Sequence, residues 1–306
     1  MTVLITGGTG LIGTHLARKL REKNYDVAFL GRTKKLNPEF PTFVWDIDKN
    51  EIEEEALERC EFIIHLAGAN ISDKRWSKSR KQIIIDTRVK TTQLLFEKSQ
   101  KYARGLKGFI TSSAIGYYGT ISGDKVFNET DPPGQDFLAE TCRLWEEAAD
   151  QFKKAGIRTV KIRTGVVLSA NGGALQKMLI PVKLGFGSPL GNGKQSMPWI
   201  HIDDLCAIYI KALEDSQMEG AYNATAPDFK TNKEFAETLS RMLNKPFWFP
   251  NVPAVVLKLM LGEMSGIILN GNNVSSDKII NAGFNFMFPD LEDALKNLLG
   301  DKKTAG

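Results

Sequence analysis

The sequence has few of the residues that build metal centres and disulfide frameworks. Its 306 residues include three cysteines and three histidines. The cysteines Cys60, Cys142 and Cys206 form no Cys-x-x-Cys pair. Neither a structural metal site nor a disulfide framework is therefore expected.

Long apolar runs and a strong excess of one charge are also missing. No apolar run reaches the ~18 residues that a membrane-spanning helix needs. The first predicted strand begins at Thr2, so no secretory leader is expected and a cytoplasmic location is the default prediction. The formal net charge is +4, and basic residues are interspersed with acidic ones. The sequence lacks the basic stripe of a nucleic-acid-binding protein, so no nucleic-acid or membrane partner is expected.

Apolar strands alternate with amphipathic helices through the first half of the chain. The predicted strands cover 3–5, 26–30, 42–45, 62–66, 108–112 and 158–163, and the predicted helices begin at Leu11 or cover 79–102, 138–155 and 202–213. This alternation predicts an α/β fold with a doubly wound parallel sheet of the Rossmann type. The alternation breaks after Gly165, so we expect a smaller C-terminal substrate lobe. The predicted boundaries are 1–165 plus 199–225 for the Rossmann domain, and 166–198 plus 226–300 for the lobe.

The turn after the first strand is rich in glycine. Residues 6–13 read TGGTGLIG, which fits both GxGxxG, from Gly8, and the wider GxxGxxG, from Gly7. Glycine permits the tight turn and removes the Cβ that would block a pyrophosphate, while the helix that follows offers free N–H groups to the phosphates. Since the motif joins a strand to a helix, it predicts a dinucleotide site rather than a merely structural turn. The expected cofactor contacts are Gly7, Gly10, Leu11, Ile12 and Gly13.

The end of the second strand distinguishes between the two nicotinamide dinucleotides. Sites for NAD usually carry an acidic residue about 20 residues after the glycines, where it binds the ribose 2′-hydroxyl. Here Gly31 stands at that position, and the residues that follow are Arg32, Thr33 and Lys34. These side chains can pair with a 2′-phosphate. We therefore predict NADP(H) in preference to NAD(H), the alternative being a basic turn that only faces solvent.

Five motifs occur in the order seen in extended short-chain dehydrogenases/reductases. They are TGGTGLIG at 6–13, HLAGA at 65–69, SSAIGYYG at 112–119, PWIHIDDL at 198–205 and YN at 222–223. The sequence resembles in particular an atypical branch of this superfamily, the NAD-dependent epimerase/dehydratase-like or cell-division inhibitor-like proteins. The stretch from Gly262 to Leu295 resembles the C-terminal domain of unknown function of that branch.

The resemblance implies further contacts to the cofactor. Asp46 and Ile47 would border the adenine, although Asp46 also fits an ordinary turn. The ribose on the nicotinamide side would be lined by the loop residues Ala67, Gly68 and Ala69. Arg163 would lie near the nicotinamide end of the cleft. Arg88, on the long helix, is a further candidate, with a structural role as the alternative.

The usual catalytic pair of the superfamily is missing. Active members carry a Tyr and, four residues later, a Lys that lowers the pKa of the Tyr, and the two share one face of a helix. The matching stretch 137–146 contains neither, and alignment on Glu146 places Leu138 and Cys142 at the two positions. A shift of one residue gives Phe137 and Thr141, which could not replace the pair either. The remaining candidates for catalysis are Ser113, Tyr117 and Tyr118, with packing as the alternative for each tyrosine.

Two classes of function are compatible with these features. The first is an NADP(H)-dependent oxidoreductase or epimerase that acts on a small carbonyl or sugar-like substrate. The second is a non-catalytic NADP(H)-binding sensor or partner protein, which the missing Tyr and Lys favour.

A nucleotide-diphospho-sugar substrate is disfavoured because Met197 stands where the related enzymes place an arginine on the diphosphate, and a thioether cannot pair with phosphate. Lys194, three residues earlier, is the one nearby residue that could compensate.

Overall fold

The computed structural model describes residues 2–34, 39–120 and 123–300. Its strands are β1 (Thr2–Thr6), β2 (Asp26–Gly31), β3 (Thr42–Asp46), β4 (Glu51–Ile52), β5 (Phe62–His65), β6 (Gly108–Ala114), β7 (Val126–Phe127), β8 (Arg158–Thr164), β9 (Val166–Leu168), β10 (Trp199–His201), β11 (Gly220–Ala224) and β12 (Asn273–Val274). Its α-helices are α1 (Leu11–Glu22), α2 (Glu55–Glu58), α3 (Lys78–Tyr102), α4 (Phe137–Lys154), α5 (Gly173–Lys183), α6 (Ile202–Glu214), α7 (Asn232–Met242), α8 (Ala254–Leu261), α9 (Gly266–Leu269), α10 (Asp277–Asn281) and α11 (Leu291–Gly300). Two short 3₁₀ helices cover Ile115–Tyr118 and Gly262–Ser265.

The central sheet has eight strands in the order β11-β8-β6-β5-β1-β2-β3-β4. Neighbouring strands are parallel except for β3 and β4, which are antiparallel. Helices cover both faces of the sheet, which explains why its strands are continuous apolar runs such as Val3-Leu4-Ile5, whose side chains are at most 1% exposed. The predicted doubly wound Rossmann fold is confirmed.

The strand order changes direction at β1. This strand pairs with β2 on one side and with β5 on the other. In open α/β sheets, the crevice at such a switch point, outside the carboxyl ends of the strands, is where ligands bind. The turns that follow β1 and β2 and the loop that follows β5 all start at this edge, so the fold brings the predicted cofactor residues together.

The core is divided between the two faces of the sheet and the C-terminal lobe. Leu16 of α1 and Leu205 of α6 belong to the cluster on one face, and Leu94 of α3 belongs to the cluster on the other. A third cluster joins α5, α7 and α11 around the buried Trp199. Residues of the C-terminal segment also enter the first cluster, since Ile279 and Phe284 pack there. The lobe therefore shares a core with the Rossmann domain.

Two adjacent aspartates at the start of α6 connect this helix to distant segments. Asp203 accepts a hydrogen bond from His15 at 2.7 Å and pairs with Lys19 at 2.8 Å, both on α1. These partners hold the pKa of Asp203 well below its usual range. Asp204 is buried, and its carboxylate accepts the backbone N–H groups of residues 287 and 288 at 2.8 and 3.0 Å. The start of α6 therefore fixes both the first helix and the C-terminal segment.

Candidate active site

The glycine-rich turn after β1 has a geometry that side chains would prevent. Gly7 has φ +69°, a left-handed conformation that favours glycine. A Cβ on Gly13 would lie 2.4 Å from the carbonyl oxygen of Gly7, so α1 packs too closely on the turn for any side chain. At Gly10 an added Cβ would meet one atom within 4 Å, the Gly7 oxygen at 3.2 Å. The side of the turn at Gly10 is therefore open, as a cradle for a phosphate group requires.

The first helix begins without a capping side chain. The side chains of Ser77, Asp136 and Thr231 accept backbone N–H groups at the starts of α3, α4 and α7. In contrast, the residue that precedes α1 is Gly10, so α1 has no side-chain cap, and its first turn contains no acidic residue. Its first N–H groups and the positive end of its dipole therefore suit an anion. The residues present fit the pyrophosphate of a dinucleotide.

Arg32, Thr33 and Lys34 follow β2 and are exposed. Because Thr6 of β1 is paired with Leu30 of β2, this basic turn lies beside the glycine-rich turn. Lys34 is 3.6 Å from the carboxylate of Glu53. Within the described part of the chain, Arg32 has no hydrogen bond or ion pair. Its guanidinium is free to bind the 2′-phosphate that distinguishes NADP from NAD.

The residues after β3 are already engaged with their own chain. The carboxylate of Asp46 accepts the N–H groups of Asp48 and Lys49, each at 3.1 Å. These hydrogen bonds lower the pKa of Asp46. Ile47 packs against the second core cluster. The carboxylate of Asp46 thus stabilises its own turn, and the contact of this pair with adenine stays a prediction.

The loop after β5 is held by α3. The N–H of Ala69 donates to Thr87 Oγ1 at 3.0 Å, and Arg88 Nη1 donates to the carbonyl oxygen of Ala69 at 3.1 Å. The guanidinium of Arg88 lies 5.0 Å from the ring centre of Trp145, and burial lowers its pKa. A Cβ on Gly68 would be 3.0 Å from Arg88 Cζ. Arg88 therefore supports the loop, and its predicted contact to the cofactor is untested.

Two buried histidines serve as neutral structural groups. His65 is hydrogen-bonded to Thr6 at 2.7 Å and to Thr91 at 3.1 Å, and burial lowers its pKa to about 3. His201 Nδ1 accepts the N–H of Asp203 at the start of α6, and burial lowers the pKa of His201 to about 4. The hydroxyl of Thr6 also accepts the first two N–H groups of the loop after β5. Thr6 thereby fixes this loop to the end of β1, and His65 holds the Thr6 hydroxyl in place.

A buried polar network lies where β6, β8 and α4 meet. Glu146 Oε1 accepts hydrogen bonds from Ser113 Oγ and Arg163 Nε, each at 2.8 Å, and Oε2 accepts one from Arg163 Nη2 at 2.9 Å. Arg163 Nη1 donates to the hydroxyl of Tyr118 at 3.0 Å, and this hydroxyl donates to Asn223 Oδ1 at 2.7 Å. Each of these five residues is at most 5% exposed, so the network is an interior one whose members satisfy each other.

Three of the residues predicted for the site belong to this network. Ser113, Tyr118 and Arg163 were predicted to face the substrate or the cofactor, whereas all three are buried. Burial raises the pKa of Tyr118 to about 12. The physical reason is Glu146, a buried carboxylate that requires paired donors and obtains them from these neighbours. Their direct contact with a ligand stays untested, and their visible role is to hold one another.

Tyr117 is the half-buried member of this region. Arg163 Cζ lies 3.5 Å from the centre of the Tyr117 ring, so the phenol stacks on a guanidinium that Glu146 holds in place. Burial raises the pKa of Tyr117, against an opposing effect of Arg163. Tyr117 is thus partly exposed, whereas Tyr118 is buried.

The helix positions that carry Tyr and Lys in related enzymes face this same turn. A Cβ on Gly116 would be 3.3 Å from Leu138 Cβ and 3.9 Å from Cys142 Sγ. Burial raises the pKa of the Cys142 thiol to about 12, so this thiol is inert at neutral pH. These two positions of α4 therefore offer no acid or base, and Tyr117 follows Gly116 on the other side of this contact.

Comparison with known proteins agrees with this architecture. A model of the NAD dependent epimerase/dehydratase family matches residues 3–225, more than half of the chain. The chain belongs to this family. A second model, the domain of unknown function DUF1731, matches residues 252–298. The resemblance found in the sequence is confirmed.

The relatives match nearly the whole of this chain. The Epimerase family protein YfhF of Bacillus subtilis (strain 168) is 36% identical over 306 residues, covering 99% of this chain and 100% of that protein. The chloroplastic Epimerase family protein SDR39U1 homolog of Arabidopsis thaliana is 37% identical, covering 98% of this chain and 87% of that protein. The crystal structure of human epimerase family protein SDR39U1 (isoform 2) with NADPH superposes with a TM-score of 0.87 at 33% identity, covering 98% of this chain and 100% of that one.

The sequence predicts neither a metal site nor a membrane-spanning helix. Among the residues that the structure describes, no group of three or more His, Cys, Asp or Glu side chains could hold a metal ion. Within 2–34, 39–120 and 123–300, no helix has both the length and the apolar character that crossing a membrane requires.

Proposed function

We propose that this chain binds NADPH at the switch point of the sheet. The support comes from the open glycine turn, the uncapped start of α1 and the unpaired Arg32 beside them. A relative that is 33% identical along nearly the whole chain was crystallised with NADPH. The predicted cytoplasmic location is kept as part of this proposal.

We further propose that the chain reduces a small carbonyl compound, with Tyr117 as the proton donor. The observation that carries this proposal is the Tyr117 phenol, stacked at 3.5 Å on a guanidinium at the end of β6. The preceding residue, Gly116, faces Leu138 and Cys142, which stand where related enzymes carry the catalytic pair. Arg163 would supply the positive charge that a Lys supplies in related enzymes.

The phenol of Tyr117 is in the protonation state that a proton donor needs. NADPH, when bound, supplies a hydride to the carbonyl carbon. Because burial raises the pKa of Tyr117, its phenol is protonated at neutral pH and can donate that proton to the carbonyl oxygen. The phenolate left behind faces Arg163, which stabilises it until solvent returns the proton. Glu146 keeps Arg163 in position through two hydrogen bonds.

The environment of Met197 supports a substrate smaller than a nucleotide sugar. Met197 packs against the third core cluster, and its N–H donates to the carbonyl oxygen of Lys230 at 2.8 Å. This position therefore provides no cation for a diphosphate. Lys194 is exposed on its loop.

The test is a screen of small aldehydes and ketones, read by the loss of NADPH absorbance. With any substrate found, Tyr117→Phe should lower kcat/KM by about 10²- to 10⁴-fold, the usual contribution of a general acid. Its affinity for NADPH should not change. Tyr102→Phe, at the far end of α3, is the matched control and should keep full activity. Normal turnover by Tyr117→Phe would exclude Tyr117 as the donor.

A second candidate function is a non-catalytic NADPH-binding sensor. The observation that favours it is the burial of Ser113, Tyr118 and Cys142, which leaves one accessible phenol among the predicted catalytic residues. Tight NADPH binding without turnover of any compound in the screen would make this the preferred function.

A further inference from the structure

Two arginines of α3 bind consecutive carbonyl groups of the loop after β5. Arg80 Nη2 donates to the carbonyl oxygen of Asn70 at 2.5 Å, and Arg88 Nη1 donates to that of Ala69 at 3.1 Å. The two arginines are eight residues apart, so they lie on neighbouring faces of the helix two turns from each other. Both guanidiniums are thus gathered at one short loop.

The segment that contains these arginines has a marked excess of positive charge. Residues 70–88 include six cations and two acids, Asp73 and Asp86. Asp86 pairs with Lys90 at 2.8 Å, and Asp73 is exposed. Lys81 pairs with Glu263 of the lobe. Within the described residues, no acidic side chain forms an ion pair with Arg80 or Arg88.

The two guanidiniums also have donors to spare. Arg80 Nε is buried and has no hydrogen-bond partner in the described chain. Arg88 is paired with carbonyl oxygens and with the face of Trp145 rather than with a carboxylate. Removing a cation from water is costly unless an opposite charge or a full set of hydrogen bonds replaces the water. A planar anion such as a carboxylate or a phosphate would supply both to a guanidinium.

The position of the pair relates it to the candidate active site and to the lobe. The loop follows β5, and β5 is paired with β6, whose end carries Tyr117. Further along the same loop, Ser72 Oγ is 3.1 Å from Lys177 Nζ of α5. The pair therefore lies between the sheet edge and the lobe. Its two carbonyl partners, on Ala69 and Asn70, lie further along the loop than Ala67, which borders the glycine turn.

We infer that Arg80 and Arg88 bind an anionic group of the substrate, a carboxylate or a phosphate, beside Tyr117. The inference rests on the proposed reduction of a carbonyl compound and narrows it to negatively charged carbonyl compounds. The same cations could instead receive a phosphate of the cofactor, so the experiment separates the two sources.

The test uses a matched pair of probes, 4-carboxybenzaldehyde and its neutral methyl ester. Calorimetry on the protein loaded with NADP⁺ measures their binding without any turnover. The acid should bind about tenfold or more tightly than the ester, as expected for one charge-assisted pair. Arg80→Gln keeps a donor for the carbonyl of Asn70 but removes the charge, so it should abolish the preference. Arg80→Lys should retain part of it.

The matched control is Arg104→Gln, which removes the same charge beyond the far end of α3 and should keep the preference. Equal affinity for acid and ester in the wild type, or no binding of either probe, overturns the inference. The inference is also overturned if Arg80→Gln still prefers the acid to the ester but binds NADPH more weakly. The anion that Arg80 binds would then be a phosphate of the cofactor. Preferential binding of the acid without NADPH oxidation contradicts only the proposed reduction.

Discussion

Tyr117 and Tyr118 are neighbours in sequence, but their replacement by phenylalanine should have opposite consequences. In Tyr118→Phe, Asn223 Oδ1 loses its donor and Arg163 Nη1 loses its acceptor, both in the interior. An unsatisfied buried polar group costs about 1–3 kcal/mol, so the two together should lower the free energy of unfolding by about 2–6 kcal/mol. Tyr117→Phe keeps the ring on the guanidinium and loses only a partly exposed hydroxyl, so it should cost less than about 1 kcal/mol.

The assay is urea unfolding followed by tryptophan fluorescence, combined with NADPH oxidation by the folded variants. Tyr118→Phe should unfold at lower urea while its folded form keeps most of the activity. Tyr117→Phe should unfold like the wild type and lose the activity. Identical unfolding midpoints for the two variants would refute the buried hydrogen bonds assigned to Tyr118. A loss of activity in the folded Tyr118→Phe protein, with normal activity in Tyr117→Phe, would reverse the assigned roles.

Three further predictions concern the cofactor and the effect of pH. Arg32→Ala should lose roughly tenfold or more in affinity for NADPH and little for NADH by calorimetry, and equal affinities of the wild type for the two would contradict the NADP assignment. Gly10→Val should abolish the fluorescence enhancement of NADPH while circular dichroism shows a folded protein, because the open cradle is filled. The free energy of unfolding should fall as the pH drops below about 6.5, since the unfolded state then protonates His65 and His201 while the folded state, with pKa values of about 3 and 4, does not. His65→Asn should have a flatter pH dependence, and an unchanged slope would show that His65 is not buried as a neutral group.

The elements of the Rossmann domain follow directly from local sequence patterns. The predicted helix 79–102 differs by one residue from α3, and the predicted strand 26–30 by one from β2. Strands are recognised by short apolar runs and helices by apolar residues at helical spacing, and both patterns depend only on residues a few positions apart. The glycine turn and Arg32 are likewise local, since each is defined by its distance from a strand end. That is why sequence alone places the predicted cofactor residues together.

The buried network could not be predicted in the same way. Ser113 and Arg163 become neighbours because β6 pairs with β8, and Glu146 reaches them from α4. This pairing depends on the order of strands in the sheet, which local periodicity does not specify. One signal was available, because Glu146 follows Cys142 and Trp145 on the apolar face of α4, where an unpaired acid would be costly. A carboxylate on the buried face of a helix predicts a buried cation opposite it.

The carboxylate of Asp204 makes the N-terminal family segment depend on the C-terminal one. It belongs to the segment shared with the epimerase family, yet its hydrogen-bond donors are the backbone N–H groups of residues 287 and 288, within the DUF1731 segment. A chain shortened after β11 would retain a buried carboxylate without donors and a core without Ile279 and Phe284. The two family segments are therefore not interchangeable parts. A chimaera that takes its C-terminal segment from a relative should fold only if the graft presents two N–H groups and two apolar side chains at these places.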